Sequence, residues 1–200
     1  MFDSDVSRDM QSRKITRRMF LASGATVGLG FAVLSRYSST VEASGAVHGT
    51  PGEVTIVNFS DNGTNLGSET VAKVVKTDGA WRQKLGANSF GIARQADTEM
   101  PYSGVSWKEH GRGIFRCICC DTALFNSQTK FESGTGWPSF WAPIAQENVL
   151  QKTDASLGME RTEVRCVRCE GHLGHVFHDG PEPSGLRYCM NSASMRFVKA

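Results

Sequence analysis

The sequence predicts a mainly β domain of antiparallel strands, with short helices on its N-terminal side and paired cysteine knuckles. Beyond Gly113 the chain runs as short apolar and aromatic segments (I-F-R-C-I, A-L-F, R-T-E-V-R-C, G-H-V-F, L-R-Y-C-M, M-R-F-V) separated by Gly, Pro, Asn and Asp. That is the texture of antiparallel sheet with tight turns. The six cysteines fall as two C-x-x-C pairs, Cys117/Cys120 and Cys166/Cys169, plus Cys119 and Cys189. Across Glu69 to Leu85 the spacing of Val71, Val74, Val75, Trp81 and Leu85 is compatible with one or two short helices, and Phe90 to Gln95 with a strand or an extended lead-in.

At the N-terminus, residues 1–43 read as an export leader. Arg17 and Arg18 are paired in a basic stretch, and an uncharged, Gly-rich apolar run follows from Met19 to Leu34. The hexad T-R-R-M-F-L resembles a twin-arginine signal, which implies export of an already folded protein, to the periplasm of a bacterium. Val41-Glu42-Ala43 offers small residues where a signal peptidase reads, leaving Ser44 as the new terminus. The apolar run is short against the ~20 residues of a membrane span, so a retained anchor is the lesser alternative. Residues 44–68, rich in Gly, Ser, Asn and Thr, read as a flexible tether or a loosely attached strand at Val54 to Phe59, and 69–200 as one domain. Of 22 Lys/Arg and 20 Asp/Glu, the chain beyond residue 43 keeps 16 of each. With no basic stripe to track a phosphate backbone, nucleic acid is excluded as a partner.

Two C-x-x-C turns supply four thiolates at tetrahedral spacing, which suits one structural Zn²⁺. A redox dithiol and a set of three disulfides are the competing readings, and iron can also occupy four thiolates. In L-R-Y-C-M-N-S an extended backbone puts Arg187, Cys189 and Asn191 on one face, with Tyr188 and Met190 on the other. Arg187 beside the sulfur would favour thiolate, making Cys189 a nucleophile; the alternative is a small core residue on a strand. His172, His175 and His178 crowd the segment after the second C-x-x-C, and imidazole gives and takes protons near neutrality. Asp179 either orients an imidazole or belongs to a turn. In S-G-T-G-W-P-S-F-W, Trp137 is either an exposed wall for a small apolar group or a core residue at a loop base.

Together the segments C-I-C-C-D-T-A-L-F, S-G-T-G-W-P-S-F, R-C-V-R-C, G-H-L-G-H-V-F, D-G-P and R-Y-C-M-N-S-A-S-M-R-F, with R-Q-A-D-T-E-M-P-Y-S-G upstream, resemble methionine-R-sulfoxide reductase, the B class, from about Trp81 to Phe197. The resemblance implies two antiparallel sheets, with zinc on the side away from the active site. It implies Cys189 as nucleophile, His172, His175, Asp179, Arg187 and Asn191 as the polar side of the pocket, and Trp137 against the substrate methyl. Either His175 or His172 would supply a proton to the sulfoxide oxygen. The substrates would be oxidised proteins, acted on by a monomer. Many members carry a resolving cysteine where this chain has Thr135. Regeneration then falls to an external thioredoxin-like or small-thiol donor, with Cys119 as the internal candidate. A binding module on the same scaffold and a thiol peroxidase are the rival functions.

Overall fold

The computed structural model describes residues 45–158 and 160–200, so the expected leader lies outside the described residues. In chain order the elements are β1 (Val47–His48), β2 (Glu53–Phe59), β3 (Asn65–Ala72), β4 (Lys76–Thr77), α1 (Asp78–Gln95), β5 (Gly113–Cys117), β6 (Ala123–Asn126), β7 (Lys130–Phe131), β8 (Ser139–Phe140), β9 (Val149–Asp154), β10 (Arg161–Cys166), β11 (His172–Phe177), β12 (Arg187–Met190) and β13 (Met195–Lys199). Every pairing is antiparallel. The two principal sheets are six-stranded, in the order β7-β8-β12-β11-β10-β9, and three-stranded, in the order β13-β5-β6. Two smaller pairs, β1-β4 and β2-β3, stand at the N-terminal end. Among the described residues no helix is long and apolar enough to cross a membrane.

The principal sheets meet through aromatic rings, because alternation sends every second residue of each strand to the shared core. Phe140 of β8 stacks on Phe125 of β6 with ring centroids 4.4 Å apart and meets Phe115 of β5 edge-on at 5.0 Å. Tyr188 and Met190 of β12 are fully buried in the same cluster, while Cys189 between them faces the other way. That is the alternation expected from L-R-Y-C-M.

The N-terminal part departs from expectation in three places. Residues 53–68, expected as a tether or a loosely attached strand at Val54 to Phe59, form β2 and the start of β3, a packed hairpin. Ile56 and Val57 are buried, and buried Asn148 holds both backbone polar groups of Val57 at 2.8 Å, so the segment has a packed face and a polar anchor. Glu69 to Ala72, expected as helix, pairs with Glu53 to Ile56 as strand. Phe90 to Gln95, expected as extended, is helical. The alternation of Phe90 and Ile92 suggested a strand, but Phe90, Ala93 and Arg94 also form an i, i+3, i+4 face, and that face is buried. Helix α1 is capped by Thr77, whose side chain accepts from the Ala80 N–H, and Gly86 breaks it into two short segments with φ 72°.

Truncating the ring that joins the sheets should be costly. Phe140→Ala is expected to lower stability by roughly 3–5 kcal/mol in chemical denaturation.

Candidate active site and metal centre

Strands β5 and β10 each end on a cysteine, Cys117 and Cys166, and each then makes the same turn. The N–H groups of Asp121 and Glu170 donate to the carbonyls of Cys117 and Cys166 at 2.9 and 2.8 Å. The N–H groups of Cys117 and Cys166 donate to the carbonyls of Thr122 and Gly171 at 2.8 and 2.9 Å. Asp121 and Glu170 both sit in the left-handed region, with φ 68° and 56°. The two knuckles face each other, and the sulfurs of Cys117, Cys120, Cys166 and Cys169 lie within 4.8 Å of one another. Cys117 and Cys169 approach to 3.6 Å and Cys120 and Cys166 to 3.4 Å. These separations far exceed a disulfide bond of about 2.05 Å. They match the edges of about 3.8 Å that a tetrahedron of four ~2.3 Å metal–sulfur bonds would have. The donor set fits a thiophilic metal. Cys119 is buried at the same knuckle: a Cβ on Gly171 would lie 3.3 Å from the Cys169 sulfur and 3.4 Å from that of Cys119.

Away from these knuckles, a cavity of about 160 Å³ is lined by Thr98, Trp137, Arg161, Gly174, His175, Phe177, Cys189 and Asn191. Sheet register builds its reactive row. Cys189 on β12 stands directly opposite His175 of β11 on one side and Ser139 of β8 on the other, so the three side chains share a face. Gly174 allows the close strand approach, since a Cβ there would lie 2.1 Å from the Cys189 carbonyl oxygen. Burial raises the Cys189 thiol above its ordinary pKa. Arg187, Thr135 and Ser139, which each offer the sulfur a hydrogen bond, offset only part of that rise. Arg187 favours the thiolate, as expected, but burial outweighs it. Thr135 and Ser139 are tied together through Ser133, whose hydroxyl lies 2.8 Å from each.

A charged layer stands behind the row. His175 Nε2 meets the Asp154 carboxylate at 2.9 Å, and Arg161 donates to the same oxygen at 2.6 Å. Hydrogen bonds from Ser156, His175 and Arg161 hold the Asp154 carboxyl well below the usual range. Burial lowers the His175 pKa, and its bond to Asp154 opposes that shift without reversing it. His172 does not line the cavity. It is buried with Nδ1 2.7 Å from Glu163, and its ring centre lies 5.4 Å from that of His175. Residues three apart would face opposite sides of a regular strand; a bulge in which Arg165 pairs with His172 and Val164 with Gly174 puts both imidazoles on one side. Burial alone would raise the Glu163 carboxyl, but the bonds from His172 and Arg165 outweigh it and hold it at about 2.

The remaining predicted residues are positioned differently. Asn191 lines the cavity, yet its amide is used for scaffolding: the oxygen accepts the Glu99 N–H at 3.1 Å and the nitrogen donates to the Leu173 carbonyl at 3.2 Å. Trp137 is half-buried against the cavity, its indole N–H donating to the Glu99 carbonyl at 3.0 Å. Asp179 is exposed and outside the cavity wall, where it takes a bidentate pair from Arg187 at 2.9 and 2.8 Å. Arg187 lies over the Phe177 ring at 4.5 Å.

Sequence reasoning missed Glu99, Asp154, Arg161 and Glu163. Glu99 is the hub of the loop: besides its bonds to Trp137 and Asn191, its carboxylate accepts the N–H groups of Ser192 and Ala193 at 2.6 and 3.0 Å. The available signal for Arg161 and Glu163 was the alternation of charges at Arg161, Glu163 and Arg165 on one face of β10, while Asp154, at the end of β9, had none.

The His175 ring is expected to titrate below the ordinary value of 6.5. Because the Asp154 carboxylate favours the protonated ring, Asp154→Asn should lower the midpoint further, as read by nitrogen chemical shifts of the imidazole.

The comparisons agree with this geometry. The SelR domain family matches residues 85–199. Curated proteins named peptide methionine sulfoxide reductase MsrB are similar to the chain: that of Herminiimonas arsenicoxydans is 54% identical over 125 residues, covering 62% of this chain and 91% of its own length. That of Leptospira interrogans is 50% identical over 127 residues, covering 64% and 97%. With its antiparallel sheets, paired cysteine knuckles and cysteine–histidine cavity, the chain belongs to the SelR-domain family, the B class of peptide methionine sulfoxide reductases.

Proposed function

We propose that this chain reduces methionine-R-sulfoxide in proteins through a sulfenic acid on Cys189, that an external thioredoxin-like or small thiol regenerates the cysteine, and that one structural Zn²⁺ is held by Cys117, Cys120, Cys166 and Cys169. The family makes the chain an oxidoreductase of the peptide-methionine (R)-S-oxide reductase type, a class that repairs oxidised proteins. The observation that carries the finer reading is the row of Ser139, Cys189 and His175 beside Trp137.

Trp137 and Phe177 offer ring faces to the substrate methyl, and sulfur packs favourably near aromatic rings. The sulfoxide sulfur is a weak electrophile until its oxygen gains a proton. With Asp154 ionised, neutral His175 carries its proton on Nε2 and leaves Nδ1 as the base. It takes the Cys189 proton, becomes an imidazolium supported by Asp154, and returns the proton to the sulfoxide oxygen. The Cys189 sulfur donates an electron pair to the sulfoxide sulfur. The oxygen passes to cysteine as S–OH, and methionine leaves, so cysteine is oxidised by the two electrons that the substrate gains. Two external thiols then restore Cys189, releasing water and their own disulfide. His172, paired with Glu163, acts behind His175, and Arg187, anchored by Asp179, supports the sulfur as it becomes an anion.

Bound zinc would supply folding free energy and keep its four thiolates unreactive. We also propose that residues 1–43 direct twin-arginine export to the periplasm, on the strength of Arg17-Arg18, the apolar run and Val41-Glu42-Ala43. We also propose that the enzyme acts as a monomer.

Separate R and S epimers of a sulfoxide peptide, assayed with dithiothreitol, test the reaction. Turnover of R alone, abolished by Cys189→Ser, is expected; inertness of folded protein toward both epimers would sink the reading. After one turnover without reductant, dimedone should label Cys189, and Cys119→Ser should leave turnover unchanged. A trapped Cys119–Cys189 disulfide would overturn the external-thiol route.

A further inference from the structure

The relatives align over 124 to 127 residues that make up 90 to 97% of their own lengths in the cases of Thioalkalivibrio sulfidiphilus, Herminiimonas arsenicoxydans and Leptospira interrogans. Too little chain is left in them to build the β2-β3 hairpin, and the family match itself begins only at residue 85. The hairpin is thus an addition, and it is seated on the metal knuckles.

At the second knuckle the Val74 N–H donates to the Arg168 carbonyl at 2.9 Å, and Arg168 Nε donates back to the Ala72 carbonyl at 3.4 Å. Lys73 pairs with Glu170 at 2.9 Å. Arg168 and Glu170 flank the ligand Cys169. At the first knuckle Arg116, adjacent to Cys117, donates to Asp61 at 3.2 and 2.9 Å and to the Phe59 carbonyl at 2.6 Å. The same guanidinium donates to the Asp121 carbonyl inside that knuckle at 3.2 Å. Between the two stands Asn148. Its side chain takes the Val57 N–H and gives to the carbonyls of Val57 and Ala123, each at 2.8 Å, while its own carbonyl accepts the Val167 N–H of the second knuckle at 3.1 Å.

We infer that residues 53–74 form a strap that holds the two knuckles together and slows loss of the metal. Each knuckle contributes two ligands from a different sheet, so release requires the knuckles to part. The strap grips both from outside: Asp61 and Phe59 hold one, Lys73 and Val74 the other, and Asn148 bridges the middle. Its grip uses side chains and backbone groups that lie outside the ligand set, so it adds resistance to opening and no donor atom.

The inference rests on the zinc reading, and the test separates the two. The full chain is assayed for bound zinc, then for the rate at which zinc passes to a chromogenic chelator, alongside amide hydrogen exchange over residues 53–74. Val57→Pro removes the N–H given to Asn148 and spares the β2-β3 ladder, which does not use it. Asp61→Ala combined with Lys73→Ala removes both ion pairs from exposed or half-buried positions and carries the test if the proline variant fails to fold. Zinc release about 10-fold faster or more, with protection lost over 53–74 and kept in β10 and β11, is expected. Wild-type release rates in a variant whose 53–74 protection is gone would overturn the strap. Absence of zinc from the folded wild-type chain would overturn the metal reading and the strap with it.

Discussion

Four cysteine sulfurs within 4.8 Å of one another bring the β5-β6 hairpin of the three-stranded sheet up to the β10-β11 hairpin of the six-stranded one, where a single metal could join them. The placement of the reactive row follows from that joint. Strand β11 begins at the second knuckle, with His172 three residues beyond Cys169, so fixing the knuckle fixes where β11 starts. Antiparallel pairing then carries the position across the sheet, from His175 to Cys189 and from Cys189 to Ser139. The tight contact at Gly174 leaves no room for slippage in this pairing, and a one-residue slip would send Cys189 into the core.

The electrostatics of the site are layered. A charge buried alone is expensive, and the acids here are never alone: Asp154 meets His175 and Arg161, while Glu163 meets His172 and Arg165. Burial pushes the cysteine toward its thiol and the histidine toward its neutral ring. The strongly held Asp154 carboxylate behind His175 opposes that shift without reversing it.

Much of this was legible in the sequence, and the limits have physical causes. The knuckles could be read because metal ligation needs a fixed short spacing, and the outward aspect of Cys189 because strand alternation is local. The opposite positions of Cys189 and His175 depend on register, which no local pattern reveals. The split between His175 in the cavity and His172 behind it depends on a bulge. Glu99 reads as one more polar loop residue until Trp137, Asn191 and Ser192 converge on it. Residues 53–68 looked like a tether or a loose strand because their polar composition hides a narrow buried edge at Ile56 and Val57, whose partner Asn148 is 91 residues away from Val57.

Thr135 beside the sulfur has a kinetic meaning. On the proposed cycle the oxidising equivalent cannot be handed to a second thiol at the surface, because Cys119 is sealed at the metal knuckle. On that cycle it stays on Cys189, in the cavity that Trp137 also lines. Repair client and reducing partner then have to reach the same sulfur, one after the other.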